Sequence, residues 1–273
     1  MSLEGSNANV VDQAEALLPE LKVELGEAAR GISDKDLLRF LYWKADVKRA
    51  AGRFRDHIKW RQENKWAFDD PELKVSTDEQ LQKLLKDQIL VAPDSLTSKD
   101  GCAVVIGRLK NNDMSDGRKP VDICRMFLYI IDRVMERKEA QLNGVIVFHD
   151  LDGVSKNNLD LRIPKILFPA IIGHFPIRIK GIYMLNAPFF FKGMFAVISN
   201  LLLPKKIKQR AHTVKSIDEI YGRIDKDKLL VEHGGQLDFN VEQWVDKNKQ
   251  REVENKVDSF HSCLVHAVSS VSC

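Results

Sequence analysis

The sequence predicts an α/β protein, with an all-helical N-terminal domain followed by a domain built on a mostly parallel sheet. Three observations carry that class. Residues 8–66 place apolar side chains at helical spacing throughout, and from Gly101 onward apolar runs of strand length alternate with longer helical stretches. Apolar residues also make up 44 % of the 273, enough to bury a sizeable core. The same composition excludes a disordered chain, a collagen-like chain and a small disulfide scaffold.

Within 8–66, Asp34 is placed to cap a helix in which Leu37, Leu38, Phe40 and Leu41 recur at helical spacing. Val47, Ala50, Ala51, Phe54, Ile58 and Trp60 continue the pattern past Ala45-Asp46. Residues 67–78, with Asp69, Asp70, Pro71 and Glu72, read as a polar connector. The second domain is expected over 80–245, with strands at 102–109, 144–149 and 180–185 and helices at 121–139, 164–174 and 189–203. The runs VIVFH and GIYML are almost continuously apolar, as strands covered on both faces are. Alternation puts Val145, Val147 and His149 on one face of the middle strand, and Ile182, Met184 and Asn186 on one face of the next. Residues 246–273, charged and then rich in Ser and Val, read as a mobile tail, with a docked helix over 241–260 as the alternative.

The four cysteines, Cys102, Cys124, Cys263 and Cys273, are too scattered for a zinc or redox motif and suit a reducing compartment. No basic start followed by an apolar stretch marks the N-terminus as a signal peptide, so a cytoplasmic protein is expected. The most apolar window, 187–204, is interrupted by Pro188, Lys192, Ser199 and Asn200. It falls short of the ~20 residues a membrane-spanning helix needs.

Charge is unevenly spread. The chain carries 42 Lys+Arg against 39 Asp+Glu, a net +3. Yet residues 161–217 contain 10 basic residues and no Asp or Glu, which leaves −7 for the remainder. Inside that window, 189–203 placed on a helix shows one narrow stripe of Lys192, Gly193, Ala196, Ser199 and Asn200, with apolar side chains elsewhere. A helix apolar around most of its circumference needs two apolar environments. A buried core position supplies one; a second protein layer, an apolar ligand or a membrane supplies the other. Lys205, Lys206, Lys208 and Arg210 follow at once, and cations beside an apolar helix suit an anionic bilayer surface. Nucleic acid is not expected, because no exposed aromatics interleave with these cations and no groove-reading motif is present.

Four motifs, DKDLLRFLYWKADVKRAAGRFRDHIKWR at 34–61, GVIVFHDLDGVS at 144–155, FPIRIKGIYMLNAPFFF at 175–191 and His233-Gly234-Gly235, follow in an order that resembles the CRAL-TRIO lipid-binding family over residues 10–245. Residues 34–61 are similar to its N-terminal helical domain, and 144–155 to its central strand and D-x-x-G turn. Residues 175–191 are similar to its FP-x-R-x-x-G-x-x-x-x-N-x-P segment, and His233-Gly234-Gly235 to its closing (Y/H)GG. The resemblance implies a sheet floor under an apolar cavity, closed by a mobile gate helix, here 188–203. It implies no covalent chemistry and no cofactor: a monomer holds one hydrophobic molecule and exchanges it with membranes.

Members that bind phosphatidylinositol carry a Glu directly before the Arg of FP-x-R and a Thr shortly after the gate. Here Ile177 and Ile207 stand at those positions. The run KKIKQRAH is instead similar to the branch containing the α-tocopherol transfer protein and the cellular retinaldehyde-binding protein. In that branch, residues equivalent to Arg178, Lys180, Lys206 and Arg210 form a phosphoinositide headgroup patch, to which Lys205 and Lys208 are adjacent. The cargo is then tocopherol-, retinoid- or carotenoid-like. Alternation and the resemblance together assign Val147, His149, Ile182 and Met184 to the cavity floor, Phe168 and Ile172 to the intervening helix, and Phe191, Phe195, Ile198 and Leu202 to the gate. His149 needs a hydrogen-bond partner, either a cargo hydroxyl or carbonyl or a neighbouring backbone group.

Two other functions fit parts of the sequence. One is a phosphoinositide-sensing membrane adaptor that transfers no cargo. The other reads Asp150-Leu151-Asp152-Gly153 as the D-x-D-G of a Mg²⁺-dependent phosphatase, Asp150 being nucleophile and Asp152 acid/base. Asp and Gly favour turns for structural reasons alone, and the acid-free window offers no later acidic pair.

Overall fold

The computed structural model describes residues 3–254. Its N-terminal layer comprises α1 (Leu3–Leu25), α2 (Asp34–Trp43) and α3 (Val47–Glu63). The cap of α2 is Ser33 rather than Asp34: its Oγ accepts from the Asp36 amide at 3.2 Å, and Asp34 becomes the first helical residue. Asp46 caps α3 through the Arg49 amide at 2.9 Å. Leu21, Leu37, Phe40, Leu41, Ala50 and Phe54 form the core of this layer.

Segment 67–78, expected as a polar connector, contributes to the core. Phe68, Leu73 and Val75 are buried, and Asp69 pairs with the buried Arg61 at 2.5 Å. α4 (Glu79–Lys86) follows, capped by Asp78 and burying Leu81, Leu84 and Leu85.

The second domain carries a five-stranded sheet, β1 (Leu90–Val91), β2 (Ala103–Gly107), β3 (Val145–Asp150), β4 (Ile179–Leu185) and β5 (Ala211–Val214), in the order β1-β2-β3-β4-β5. Only β1 pairs antiparallel. β1 and β5 escape the sequence reading, because two and four residues are too few to show a period. Between the strands lie α5 (Pro120–Met135), α6 (Lys138–Asn143), α7 (Arg162–His174), α8 (Phe189–Leu202) and α9 (Lys205–Lys208). The single helix expected over 121–139 is thus two.

Parallel neighbours joined in sequential order by right-handed crossovers carry their helices on one face of the sheet. The alternation of β3 shows the result. Val145 and Val147 pack toward α5 and α7, whereas Ile146 and Phe148 face Ile220, Ile224, Leu229 and Leu230 from α10 (Ile217–Tyr221) and the chain after it.

α11 (Val241–Glu254) buries Val241, Trp244, Val245 and Asn248, and Glu252 accepts from the Val75 and Ser76 amides at 3.1 and 2.9 Å. A docked helix therefore continues past 245, where the tail was expected to begin. Residues 255–273, with Cys263 and Cys273, lie outside the described residues. The described cysteines, Cys102 and Cys124, are buried, and burial pushes their thiols up, Cys124 to about 12.

The helical layer grips the end of α7. Arg53 donates to the Ile172 carbonyl at 3.0 Å and to that of Gly173, two of the terminal carbonyls that a helix leaves unpaired. Trp60 stacks on His174 with ring centroids 5.8 Å apart. α7 lines the cavity described next, so α3 holds one of its walls.

Candidate binding cavity

The helix-covered face of the sheet does not close on itself. Between β2–β4 below and α5, α7 and α8 above lies a cavity of about 230 Å³. A single water needs only ~10–15 Å³ of such space, so the cavity fits something far larger. Its lining is almost wholly aliphatic and aromatic, with Asn112, His149, Asn158 and Asp160 as the polar exceptions.

Register builds the floor. Val105, Val147 and Ile182 stand in one row across β2, β3 and β4, and Gly107, His149 and Met184 in the next. Asn186, assigned by alternation to the same face, turns away. It takes φ 53° just past β4 and donates from Nδ2 to Asp150 Oδ1 at 3.0 Å. Of the residues expected to line the cavity, Val147, His149, Phe168, Ile172, Ile182, Met184, Phe191, Phe195 and Ile198 all do. Leu202 does not. Leu203, one residue beyond the end of α8, takes its place, because the chain leaves helical geometry there. Ile177 and Ile207 also line the cavity, so both positions that depart from the phosphatidylinositol-binding pattern face it with aliphatic side chains.

α8 has two apolar faces, as its composition required. Phe191, Met194, Phe195 and Ile198 point into the cavity, with Phe191 and Phe195 stacked at 6.2 Å. Outside, Phe189 is 93 % exposed, Leu201 75 % and Val197 60 %. Ser199, placed by the helical projection on the polar stripe, is buried and donates to the Ala196 carbonyl at 3.1 Å.

His149 sits where β3 ends. The Nδ1–Cε1 edge of its ring packs on Gly107: a Cβ added there would fall 1.9 Å from Nδ1 and 2.4 Å from Cε1. Nδ1 is buried with no hydrogen-bond partner among the described residues. Burial pushes the imidazole down to about 4, so the ring is neutral at pH 7. The backbone partner that the sequence left open is therefore absent among those residues.

The expected basic patch divides into two groups. Arg178 donates to the Gln141 and Leu142 carbonyls at the end of α6, the one to Gln141 at 2.8 Å, and burial lowers its pKa. Arg210 donates to the Ile179 carbonyl at 2.5 Å. Both guanidinium groups are engaged by backbone. Lys180, Lys205 and Lys206 are exposed, and Lys208 reaches Asn200 Oδ1 at 3.2 Å.

Asp150, the nucleophile of the phosphatase reading, anchors the turn before α8. Its Oδ1 accepts from the Asp152 amide at 3.1 Å and from Asn186, and Oδ2 lies 3.6 Å from Nε2 of the buried His233. Partial burial works to raise this carboxyl, but His233, the Asp152 amide and Asn186 outweigh it and hold the group near about 2. Among the described residues no group of three or more His, Cys, Asp or Glu side chains could hold a metal ion, and no helix is long and apolar enough to cross a membrane.

Comparison with known proteins gives the same picture. The model of the CRAL/TRIO domain matches residues 96–235, just over half of the chain. The rat tyrosine-protein phosphatase non-receptor type 9 is 27 % identical over 122 residues, which are 45 % of this chain and 20 % of that protein. The chain thus spans about a fifth of that relative's length. The human α-tocopherol transfer protein-like protein is 26 % identical over 227 residues, 81 % of this chain and 64 % of that one. The crystal structure of Sfh5 superimposes with a TM-score of 0.58 at 14 % identity, covering 88 % and 90 % of the two chains, a likeness of fold.

Proposed function

The chain belongs to the CRAL/TRIO domain family of lipid-binding and lipid-transfer proteins, and from that premise we propose that its cavity carries one small tocopherol-, retinoid- or carotenoid-like lipid between membranes. The observation that carries this reading is the two-sided gate helix. α8 closes an apolar cavity with one face and exposes Phe189, Val197 and Leu201 on the other, with Lys192, Lys205 and Lys206 exposed beside them. When α8 swings out, a bilayer replaces the cargo as the second apolar environment, so opening need not expose the inner face to water. The cytoplasmic monomer touches the membrane only during exchange.

The energetics suit a carrier. Covering ~400 Å² of apolar cargo contributes roughly 10 kcal/mol at ~25 cal/mol per Å², before association and ordering costs are subtracted. No ion pair is needed for retention, and release requires only another apolar phase. Ile177 and Ile207 in the cavity argue against phosphatidylinositol as cargo. A phosphoinositide acts instead outside the cavity, on the lysines flanking α8.

The test is vesicle-to-vesicle transfer of a fluorescent apolar lipid. Ile182→Trp fills the floor and abolishes cargo binding while vesicle binding persists. Lys205→Ala with Lys206→Ala weakens binding to anionic, phosphoinositide-containing vesicles by about 30-fold, at ~1 kcal/mol per lysine. If Ile182→Trp transfers lipid as fast as the parent protein, the cavity is not the carrier. If the double variant also binds vesicles unchanged, the lysines are not the docking patch.

A further inference from the structure

Among the described residues the cavity lining holds no Lys or Arg, and its only acidic side chain, Asp160, is paired with Arg162 at 2.6 Å. Asn158 is consumed by loop structure, and Asn112 in part. Asn158 Oδ1 accepts from the Ser155 amide and hydroxyl at 2.7 and 2.9 Å, and its Nδ2 donates to the Lys110 and Asn112 carbonyls at 2.9 and 3.2 Å. Asn112 Nδ2 donates in return to the Asn158 carbonyl at 2.9 Å, while its Oδ1, which can only accept, is buried without a partner among the described residues. Cross-bonded amides staple the loop after β2 to the loop after β3. That leaves His149 as the polar residue with a donor to offer the cavity.

The geometry orients its proton. Nδ1 faces Gly107 without a partner. A buried N–H left unpaired is rarer and costlier than an under-satisfied acceptor, so the neutral ring keeps its proton on Nε2. The Nδ1–Cε1 edge covers Gly107, and Nε2 is the ring nitrogen that this packing leaves for the cavity His149 lines. Only glycine at 107 permits this packing. A donor N–H thus meets an apolar space at the carboxyl ends of β2 and β3.

We propose that His149 sets cargo specificity by donating from Nε2 to an uncharged oxygen acceptor, a carbonyl or hydroxyl, at one end of an otherwise apolar molecule. This rests on the carrier reading and narrows its cargo to neutral oxygenated lipids. A carboxylate is disfavoured, because no cation among the described lining residues offsets the cost of burying its charge.

The test compares tetradecane, 2-tetradecanone, 1-tetradecanol and tetradecanoate as competitors of the neutral fluorophore N-phenyl-1-naphthylamine at pH 7.4. The ketone and the alcohol should each displace the dye roughly three- to tenfold more tightly than the alkane, the range of one net hydrogen bond, and tetradecanoate should show no such gain. In His149→Phe the ketone-to-alkane ratio should fall to about one. Ketone and alkane within twofold in the parent protein, a ratio that survives in His149→Phe, or tetradecanoate as the tightest competitor would each overturn the assignment while leaving the carrier reading standing. Failure of all four to displace the dye would overturn both. Imidazole ¹⁵N spectra of the parent protein supply a readout without mutation: an Nε2–H tautomer whose Nε2 resonance moves with the ketone and not with the alkane is expected. An Nδ1–H tautomer would refute the assignment.

Discussion

Replacing Gly107 with Ala places a methyl group 1.9 Å from His149 Nδ1 and 2.4 Å from Cε1, far inside van der Waals contact. Gly107 does not occupy the left-handed backbone region, so alanine brings no backbone strain. In the unfolded chain the substitution removes conformational freedom, which by itself stabilises the fold by about 0.4–1 kcal/mol. Overpacking against a ring held between strands and cavity costs about 1–3 kcal/mol. The expected net loss is about 1–2 kcal/mol, read as a lower urea midpoint with an unchanged slope. The decisive comparison is a double-mutant cycle. In a His149→Ala background the three atoms nearest the added methyl group are gone, so Gly107→Ala becomes neutral or stabilising, and the coupling between the two sites is about 1–3 kcal/mol. If Gly107→Ala costs the same in both backgrounds, the ring does not rest on Gly107, and the proton placement inferred from that packing fails with it.

Three further outcomes follow from the same geometry. Acid should destabilise the fold in two steps. The unfolded chain protonates His149 near 6.5 and the folded protein only near about 4, so the unfolded state holds the extra proton between those values and stability falls as pH drops through that window, by up to about 3 kcal/mol. Asp150, ordinarily near 3.8 and held near about 2, adds a second loss as pH falls between those values; urea midpoints from pH 7 to 3 should show the first step in the parent protein and a smaller one in His149→Phe, where His174, also lowered by burial, still contributes. Arg178→Ala should lower stability by about 1–3 kcal/mol by leaving the Gln141 and Leu142 carbonyls unsatisfied, with vesicle binding unchanged; a pure loss of vesicle binding would return Arg178 to the headgroup patch. Phe189→Asp should slow transfer to vesicles without altering cargo affinity in solution, since the side chain is 93 % exposed on the face of α8 away from the cavity; a parallel fall in cargo affinity would contradict that placement.

How much of this was legible beforehand depended on the range of the interaction. The central strands and α8 were readable because their signals are local: VIVFH and GIYML announce strands buried on both faces, and a helix apolar on nearly every side announces two partners. The alternation of β3 and β4 placed Val147, His149, Ile182 and Met184 correctly, since a period of two survives any packing. The same rule failed at Asn186, where a positive φ and a hydrogen bond to Asp150 break the strand. Leu202 was displaced by Leu203 for a similar reason at the end of α8. Segment 67–78 reads as a polar connector because its acids are conspicuous, yet Phe68, Leu73 and Val75 are buried there.

Sequence alone determined the two-part architecture, the apolar gate and the concentration of positive charge around it, because periodicity and composition are properties of short stretches. Tertiary structure decided which charges remain available and which polar group is left over. Arg178 and Lys180 are two residues apart and equally basic on paper, yet one is held by the carbonyls of α6 and the other stands exposed. His149 is one polar residue in an apolar strand until β2 brings Gly107 against one edge of its ring and the cavity against the rest. Those partners lie some forty residues away along the chain and meet only through the parallel register, which no local pattern encodes.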